Sequence, residues 1–383
     1  MYLSRSSYEA LGLALLSMFC WGSWANSIVF CRGRLRYELF NLDYSLGFFL
    51  TALLACLTLG MANIHGDPRL FSDDFSVGKD KMFLAIAAGS VWNVANITFA
   101  KSIEMVGLAV AFPLGIGCAL VVGTLLTYCA SDSTGVTDWM LFLGVLIAFV
   151  AVCIMSWVHK LKDSKQTTVS SSAELRNRSS AEHRSCELAH WSLTADRRDV
   201  DSTGLGVAYK PSNARKLTVT AGSGVIMSLW SPLAAMAQRD FGKTVSNPGL
   251  SPYGQFFFFC AGAGLMTLVL VPLTLTYPID GSPRVPLLQM VGEYRRSPII
   301  GHVLAFVGAL VWATGTLAFS FAGDRLSFSV SYAIGQSAPM VSIFWGVVYF
   351  GEFRGTPSTV KWLLLLCCIF YTVAILLIAN SHH

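Results

Sequence analysis

Ten apolar runs, each long enough to cross a bilayer, leave this chain few folds to choose from. A helical span needs ~20 predominantly apolar residues. Residues 9–30, 44–63, 82–101, 105–128, 138–158, 217–238, 252–277, 298–321, 327–350 and 360–379 all qualify. In hydrocarbon each segment must satisfy its own backbone N–H and C=O groups, so unbroken runs of this length read as helices. The turns after the third and eighth runs are very short, which makes two tight hairpins. Only 13% of the 383 residues are charged, about half the share usual in soluble domains. That is too little polar surface to cover a water-soluble globule. The expected fold is an all-α polytopic membrane protein with ten transmembrane helices and the lipid bilayer as its solvent.

Residues 159–216 interrupt the pattern. They carry 11 Lys/Arg and 7 Asp/Glu in 58 positions, with serine clusters at Ser170–Ser172 and Ser179–Ser180. Such composition buries too little apolar surface to order itself. The chain thus divides into an N-terminal five-helix half (1–158), a disordered linker (159–216) and a C-terminal five-helix half (217–383). Basic residues set the orientation. With ten alternating spans, Arg5, Arg69, Lys79, Lys81, Arg239, Lys243 and Arg325 fall on one face, and the other 20 of the 27 bases on the opposite one. The richer face holds the linker and is expected to be cytosolic, with both termini outside. Asn177-Arg178-Ser179 fits the glycosylation pattern but would go unused there.

Two halves of five spans each, if they repeat, must be inverted. An offset of 220 aligns Val91-Trp92 with Val311-Trp312, Phe99 with Phe319, Val110 with Val330, Gly115 with Gly335 and Val121 with Val341. It also sets Glu104 on Asp324. An offset of 209 sets Met18 and Trp21 on Met227 and Trp230.

No nucleophile elbow, zinc-protease helix, phosphate loop or dinucleotide fingerprint is present, and no Asp or Glu lies near the centre of a run. His302, the only histidine inside a run, has no acid close in sequence. The ten cysteines follow no metal-ligand spacing and read as small packing residues. The chain is expected to be no enzyme, to hold no cofactor or metal, and to bind no nucleic acid.

Tryptophan stands out instead. Trp21, Trp92, Trp230 and Trp312 fall near the middle of runs 1, 3, 6 and 8, although tryptophan prefers the membrane interfaces. Four indoles at mid-depth on matching runs suggest a cavity whose flat walls and N–H donors suit a planar heterocycle. The competing reading is core packing. Trp24, Asn93, Asn96, Thr316, Tyr332 and Gln336 lie within a helical turn or two of these sites or near mid-run. Their alternative role is hydrogen bonding between helices. Pro113, Gly115 and Gly117 in run 4, and Gly335 and Pro339 in run 9, mark expected helix breaks of the kind that flank transporter sites. For proton coupling the candidates are Glu38 and Asp43, placed just before run 2, and Asp324 in a hairpin turn.

The motifs resemble a known family. Gly22-Ser23-Trp24, Arg32-Gly33-Arg34-Leu35, Leu42-Asp43-Tyr44, Ser231-Pro232 and the stretch Gln336–Pro339 with Val341–Val348 are similar to the ureide permeases of plants. Val106-Gly107-Leu108 with Gly115-Ile116-Gly117 is similar to that family and its microbial relatives. The resemblance implies a carrier of the drug/metabolite transporter superfamily, moving allantoin, uracil and related oxo-heterocycles with protons. The plasma membrane is the expected location, an internal membrane the alternative. Other readings stay open: a sugar or broad small-metabolite permease of the same superfamily, or a non-transporting membrane receptor or scaffold.

Overall fold

A computed structural model describes residues 3–4, 6–31, 34–62, 70–106, 108–131, 135–158, 160–161, 212–243, 245–279, 284–351 and 353–382. Almost all of the expected linker lies outside them. Among the described residues the protein is helical, apart from one antiparallel bridge between Val136 and His382. The helices are α1 (Ser7–Ser23), α2 (Asn26–Cys31), α3 (Tyr37–Leu57), α4 (Lys79–Val106) and α5 (Leu108–Ala130). Next come α6 (Asp138–Val158), α7 (Asn213–Ser228), α8 (Trp230–Gln238), α9 (Pro252–Thr276) and α10 (Leu287–Arg296). The chain ends with α11 (Ile299–Leu326), α12 (Phe328–Gly335), α13 (Pro339–Phe344) and α14 (Ser358–Ala379).

Among the described residues, eight segments are long and apolar enough to cross a membrane: α1–α2, α3, α4, α6, α7–α8, α9, α11 and α14. The fourth and ninth apolar runs are helical too. The fourth forms α5; the ninth is divided into α12, α13 and a π-helical turn, Trp345–Tyr349. Side-chain oxygens start several helices, as donors left free in a first turn require. Ser6 accepts from the Glu9 amide at 3.2 Å, Ser212 from Arg215 at 3.3 Å, and Ser251 from Gly254 at 3.1 Å.

Two expectations need correction. The second span begins at Tyr37, not 44, so Glu38 and Asp43 are buried inside α3 rather than in a loop before it. Hydropathy discounts charges, but a charge with a partner can enter a helix bundle. Run 4 is also unbroken as α5, because Pro113 sits in its second turn and removes one hydrogen bond there. The break expected in the ninth span is present, at Gln336–Ala338 between Gly335 and Pro339, and two more fall in the first span at Trp24-Ala25 and in the sixth at Leu229. Pro232 lacks the N–H that would bond Ser228 across the sixth-span break.

α10 was not expected. It is short and amphipathic: Leu287, Leu288 and Val291 are exposed, alongside Glu293, Arg295 and Arg296. Such a helix suits the membrane interface.

Within the bundle α1 packs on α11, α4 on α7 and α8, α3 on α9 and α11, α4 on α9, α5 on α7 and α8, and α12 on α1 and α5. Small residues permit the closest approach. At Gly89 and Gly262, where α4 meets α9, an added Cβ would collide with the Phe259 and Ile86 carbonyl oxygens. Aromatic side chains from α3, α4, α8, α9, α11 and α12 fill the centre of the bundle. A second core joins α1, α5, α6, α11, α12 and α14.

Candidate functional site

The four mid-run tryptophans meet. Trp92 and Trp312 have ring centroids 4.3 Å apart at 35°, and Trp21 meets Trp230 edge-on at 5.8 Å. Phe48 and Phe259 brace the first pair; Phe319 braces the second. All four indoles line a cavity of about 220 Å³ together with Trp24, Asn96 and Gln336. The volume is below the ~300–1,000 Å³ of drug-sized pockets and leaves room for a small solute.

Helix breaks shape this cavity. Trp24 and Ala25 in the first-span break, Trp230 beside the sixth-span break, and Gln336 and Ala338 in the ninth-span break all form its wall. The wall also runs to Tyr37, Ile103 and Ser342, toward the end of the bundle where α4 turns into α5. At its other end Trp230, Phe319, Phe328 and Tyr332 pack into an aromatic plug.

Polar groups divide into those already bonded and those free to meet a ligand. Trp21 Nε1 donates to Thr316 Oγ1 at 3.1 Å, and Thr316 Oγ1 donates to the Trp312 carbonyl. Thr316 thus holds the Trp21 indole in place without lining the cavity. Tyr332 does likewise, donating to the Ala119 carbonyl at 3.0 Å. Asn93 turns away toward α9, donating to the Ala263 carbonyl at 2.7 Å and to Thr267 Oγ1 at 2.5 Å. Asn96 lines the cavity and donates to the Tyr37 hydroxyl at 3.3 Å. Among the described residues the buried Trp230 Nε1 has no partner, and the Gln336 side-chain amide makes no hydrogen bond. A buried donor without a partner costs about 1–3 kcal/mol, which a bound acceptor would return.

The acidic candidates lie apart from the indoles and from one another. Glu38 is ion-paired with Lys101 at 2.8 Å and with Arg36 at 3.5 Å. Asp43 is held by two groups invisible in sequence: His302 Nδ1 at 2.6 Å from Oδ2, and the Tyr294 hydroxyl, which donates to Oδ1. Burial and the neighbouring Asp43 carboxylate push the Tyr294 phenol up to about 12, so it stays a neutral donor at any physiological pH. Asp324 is exposed near the C-terminal end of α11. The Glu104 side chain lies outside what is described.

Tyr37, Phe99 and Met227 also line the cavity; the sequence marks Phe99 and Met227 only as repeat-aligned positions and Tyr37 not at all. Tyr37 stands between Arg36 and Glu38, a stretch that hydropathy alone reads as loop. The buried partners Lys101 and His302 were hidden because their acids lie 63 and 259 residues away.

Comparison with known proteins agrees with this geometry. The model of the ureide permease family matches residues 40–204 and 207–381. Ureide permease 1 of Arabidopsis thaliana is 27% identical over 397 residues, covering 100% of both chains. Probable ureide permease A3 of Vigna unguiculata is 24% identical over 376 residues, 92% of this chain and 98% of the relative. A shorter stretch is similar to the L-rhamnose-proton symporter of Mannheimia succiniciproducens, 30% identical over 93 residues, 22% of this chain and 26% of that protein. Its apolar helices make the protein an integral, multi-pass membrane protein, and the chain belongs to the ureide permease family.

Proposed function

We propose that the protein is a proton-coupled carrier of ureides and nucleobase-like oxo-heterocycles, with allantoin and uracil as the type substrates, acting at the plasma membrane. One observation carries this reading: a metabolite-sized cavity walled by four indoles also holds an unpaired indole N–H and an unpaired amide. A flat ring stacks on the indoles, its carbonyl accepts from Trp230 Nε1, and its amide edge pairs with Gln336 and Asn96. Full-length likeness to ureide permeases points to the same substrates.

The architecture we infer is ten spans in two inverted halves, 1–158 and 217–383. The packing supports it. Exchanging the halves turns the contact of spans 1 and 8 (α1 with α11) into that of spans 6 and 3 (α7 and α8 with α4). It turns spans 3 and 7 (α4 with α9) into spans 8 and 2 (α11 with α3), and spans 4 and 6 (α5 with α7 and α8) into spans 9 and 1 (α12 with α1). Tryptophans aligned by the repeat touch each other, as residues on a pseudo-two-fold axis must. With the linker cytosolic, the cavity wall extends toward the cytosol and the aromatic plug shuts the outer side. Rocking of the halves about the indoles would open the outer side.

For coupling, Asp43 is the best placed of the three acids. Glu38 has two cationic partners and serves structure, whereas Asp43 links α3 to His302 of α11, and both helices flank the indoles. The rhamnose-proton symporter likeness favours a proton as the coupling ion. It also favours a second reading, a sugar permease, since indoles stack on sugars as well.

Uptake of labelled allantoin, uracil and glucose into cells expressing the protein separates these readings. Saturable uptake of the first two, dissipated by a protonophore, is expected. Uptake of glucose alone would support the sugar reading, and uptake of none a receptor or scaffold.

A further inference from the structure

A second cavity, of about 330 Å³, lies on the far side of the aromatic plug. Gln238, Ala235, Asp324, Arg325 and Phe328 are part of its wall. Gln238 is 4% exposed, yet both its amide oxygen and nitrogen lack a hydrogen-bond partner among the described residues. Buried amides are almost always satisfied, so an orphan in a cavity wall asks for a ligand.

It is not isolated. Trp230, in the wall of the indole cavity, and Gln238 are the two ends of α8, about two helical turns apart on one face. Beside Trp230, Ser231 Oγ is also buried without a partner. On α5, which packs against α8, the Thr124 and Thr127 hydroxyls are in the same condition. The two packed helices thus carry several unpaired polar groups among the described residues, with small Ala234 and Ala235 between Trp230 and Gln238 on α8.

We propose that Gln238 heads a second, outer binding site for the carried heterocycle, and that the unpaired groups of α5 and α8 mark its route past the plug. A primary amide offers a donor and an acceptor in one plane, matching the H–N–C=O edge of a ureide or cyclic imide. The surrounding charges have both signs: Arg239, Lys243 and Arg325 face Asp240 and Asp324 around the cavity. Lys243 pairs with Asp240 at 3.1 Å, and Arg325 donates to the Ser4 carbonyl at 3.0 Å. This wall suits a neutral dipolar solute better than an ion. The substrate class rests on the function proposed above; the existence of the site does not.

Two variants of the full chain test it, in a background where the exposed Cys129 and Cys153 are changed to Ser. Gln238→Met removes the orphan amide at nearly constant shape. It should leave the thermal midpoint unchanged or raised, while the apparent KM for allantoin uptake rises about tenfold, the value of one or two hydrogen bonds. Loss of folded protein instead would give Gln238 a structural role and overturn the proposal. Gln238→Cys should react with an impermeant thiol reagent from the membrane face opposite the linker, and allantoin or uracil should slow that reaction. No reaction from that face overturns the outer site whatever the substrate. Reaction that neither solute slows, in a protein that still takes them up, overturns the site and leaves the proposed function standing. Absence of binding or uptake of both solutes by the unsubstituted protein defeats the proposed function, and this site's ligand class with it.

Discussion

Trp92 and Trp312 lie 220 positions apart in sequence, yet their rings sit with centroids 4.3 Å apart at the centre of the bundle. An indole pair this close is a stack, and a flat solute entering between or beside the rings exchanges one aromatic contact for another. The pair is 4% exposed at each residue, so it serves both core and cavity, and a substitution must separate these roles.

Trp92→Ala or Trp312→Ala should lower substrate affinity by about 1–3 kcal/mol, roughly five- to 150-fold, once uptake is normalised to folded protein at the membrane. Phe at either position should restore the stack without the N–H and so recover part of the loss. Normal transport by the Phe variant, with an Ala variant that merely misfolds, would reduce both residues to packing.

The indoles were legible in sequence because tryptophan at mid-depth is out of place, and the repeat paired the right ones. Gln336 and Asn96 were legible as amides in hydrocarbon. Asn93, Thr316 and Tyr332 carried the same signal but bond neighbouring helices, since a one-dimensional pattern cannot tell which helix face meets a cavity and which meets a neighbour. The buried ends of α3 were misread for a different reason. Glu38 and Asp43 look soluble until Lys101, His302 and Tyr294 are brought to them. The first-span break at Trp24-Ala25 has no proline or glycine within it to announce it, whereas Pro113, which advertises a break, lies inside the continuous helix α5.

Asp43→Asn should abolish accumulation driven by a pH gradient while leaving exchange of labelled for unlabelled substrate, because exchange needs no net proton movement. Glu38→Gln, by contrast, should depress folded protein, since it leaves the buried Lys101 without its carboxylate partner. Proteoliposomes assayed with and without a gradient distinguish the two. A gradient response retained by Asp43→Asn would remove Asp43 from coupling.

Gly89→Val should prevent α4 and α9 from meeting, because the new side chain would strike the Phe259 backbone. Overpacking of this kind costs about 1–3 kcal/mol or more. Gly264→Ala is the control, having open space around it, and should match the parent in yield of monodisperse detergent-solubilised protein. Equal yields for all three would contradict the packing of α4 on α9.

An epitope inserted at Ser171 should be unreachable by antibody in intact cells and reachable after permeabilisation, if the linker is cytosolic. Deleting about 30 linker residues should leave the fold intact, because loop length enters only logarithmically. Staining of intact cells would reverse the orientation, and with it the side to which the cavity opens.

Equilibrium binding of labelled allantoin to the purified protein, compared between the parent and Gln336→Leu, tests the indole cavity most directly. Gln336 is half-buried in the cavity wall and makes no side-chain hydrogen bond among the described residues, so its loss should spare the fold. Saturable, high-affinity binding is expected, weakened about two- to tenfold by Gln336→Leu at unchanged thermal stability. Saturable binding that is indifferent to Gln336→Leu, or no saturable binding of allantoin at all, would contradict the account.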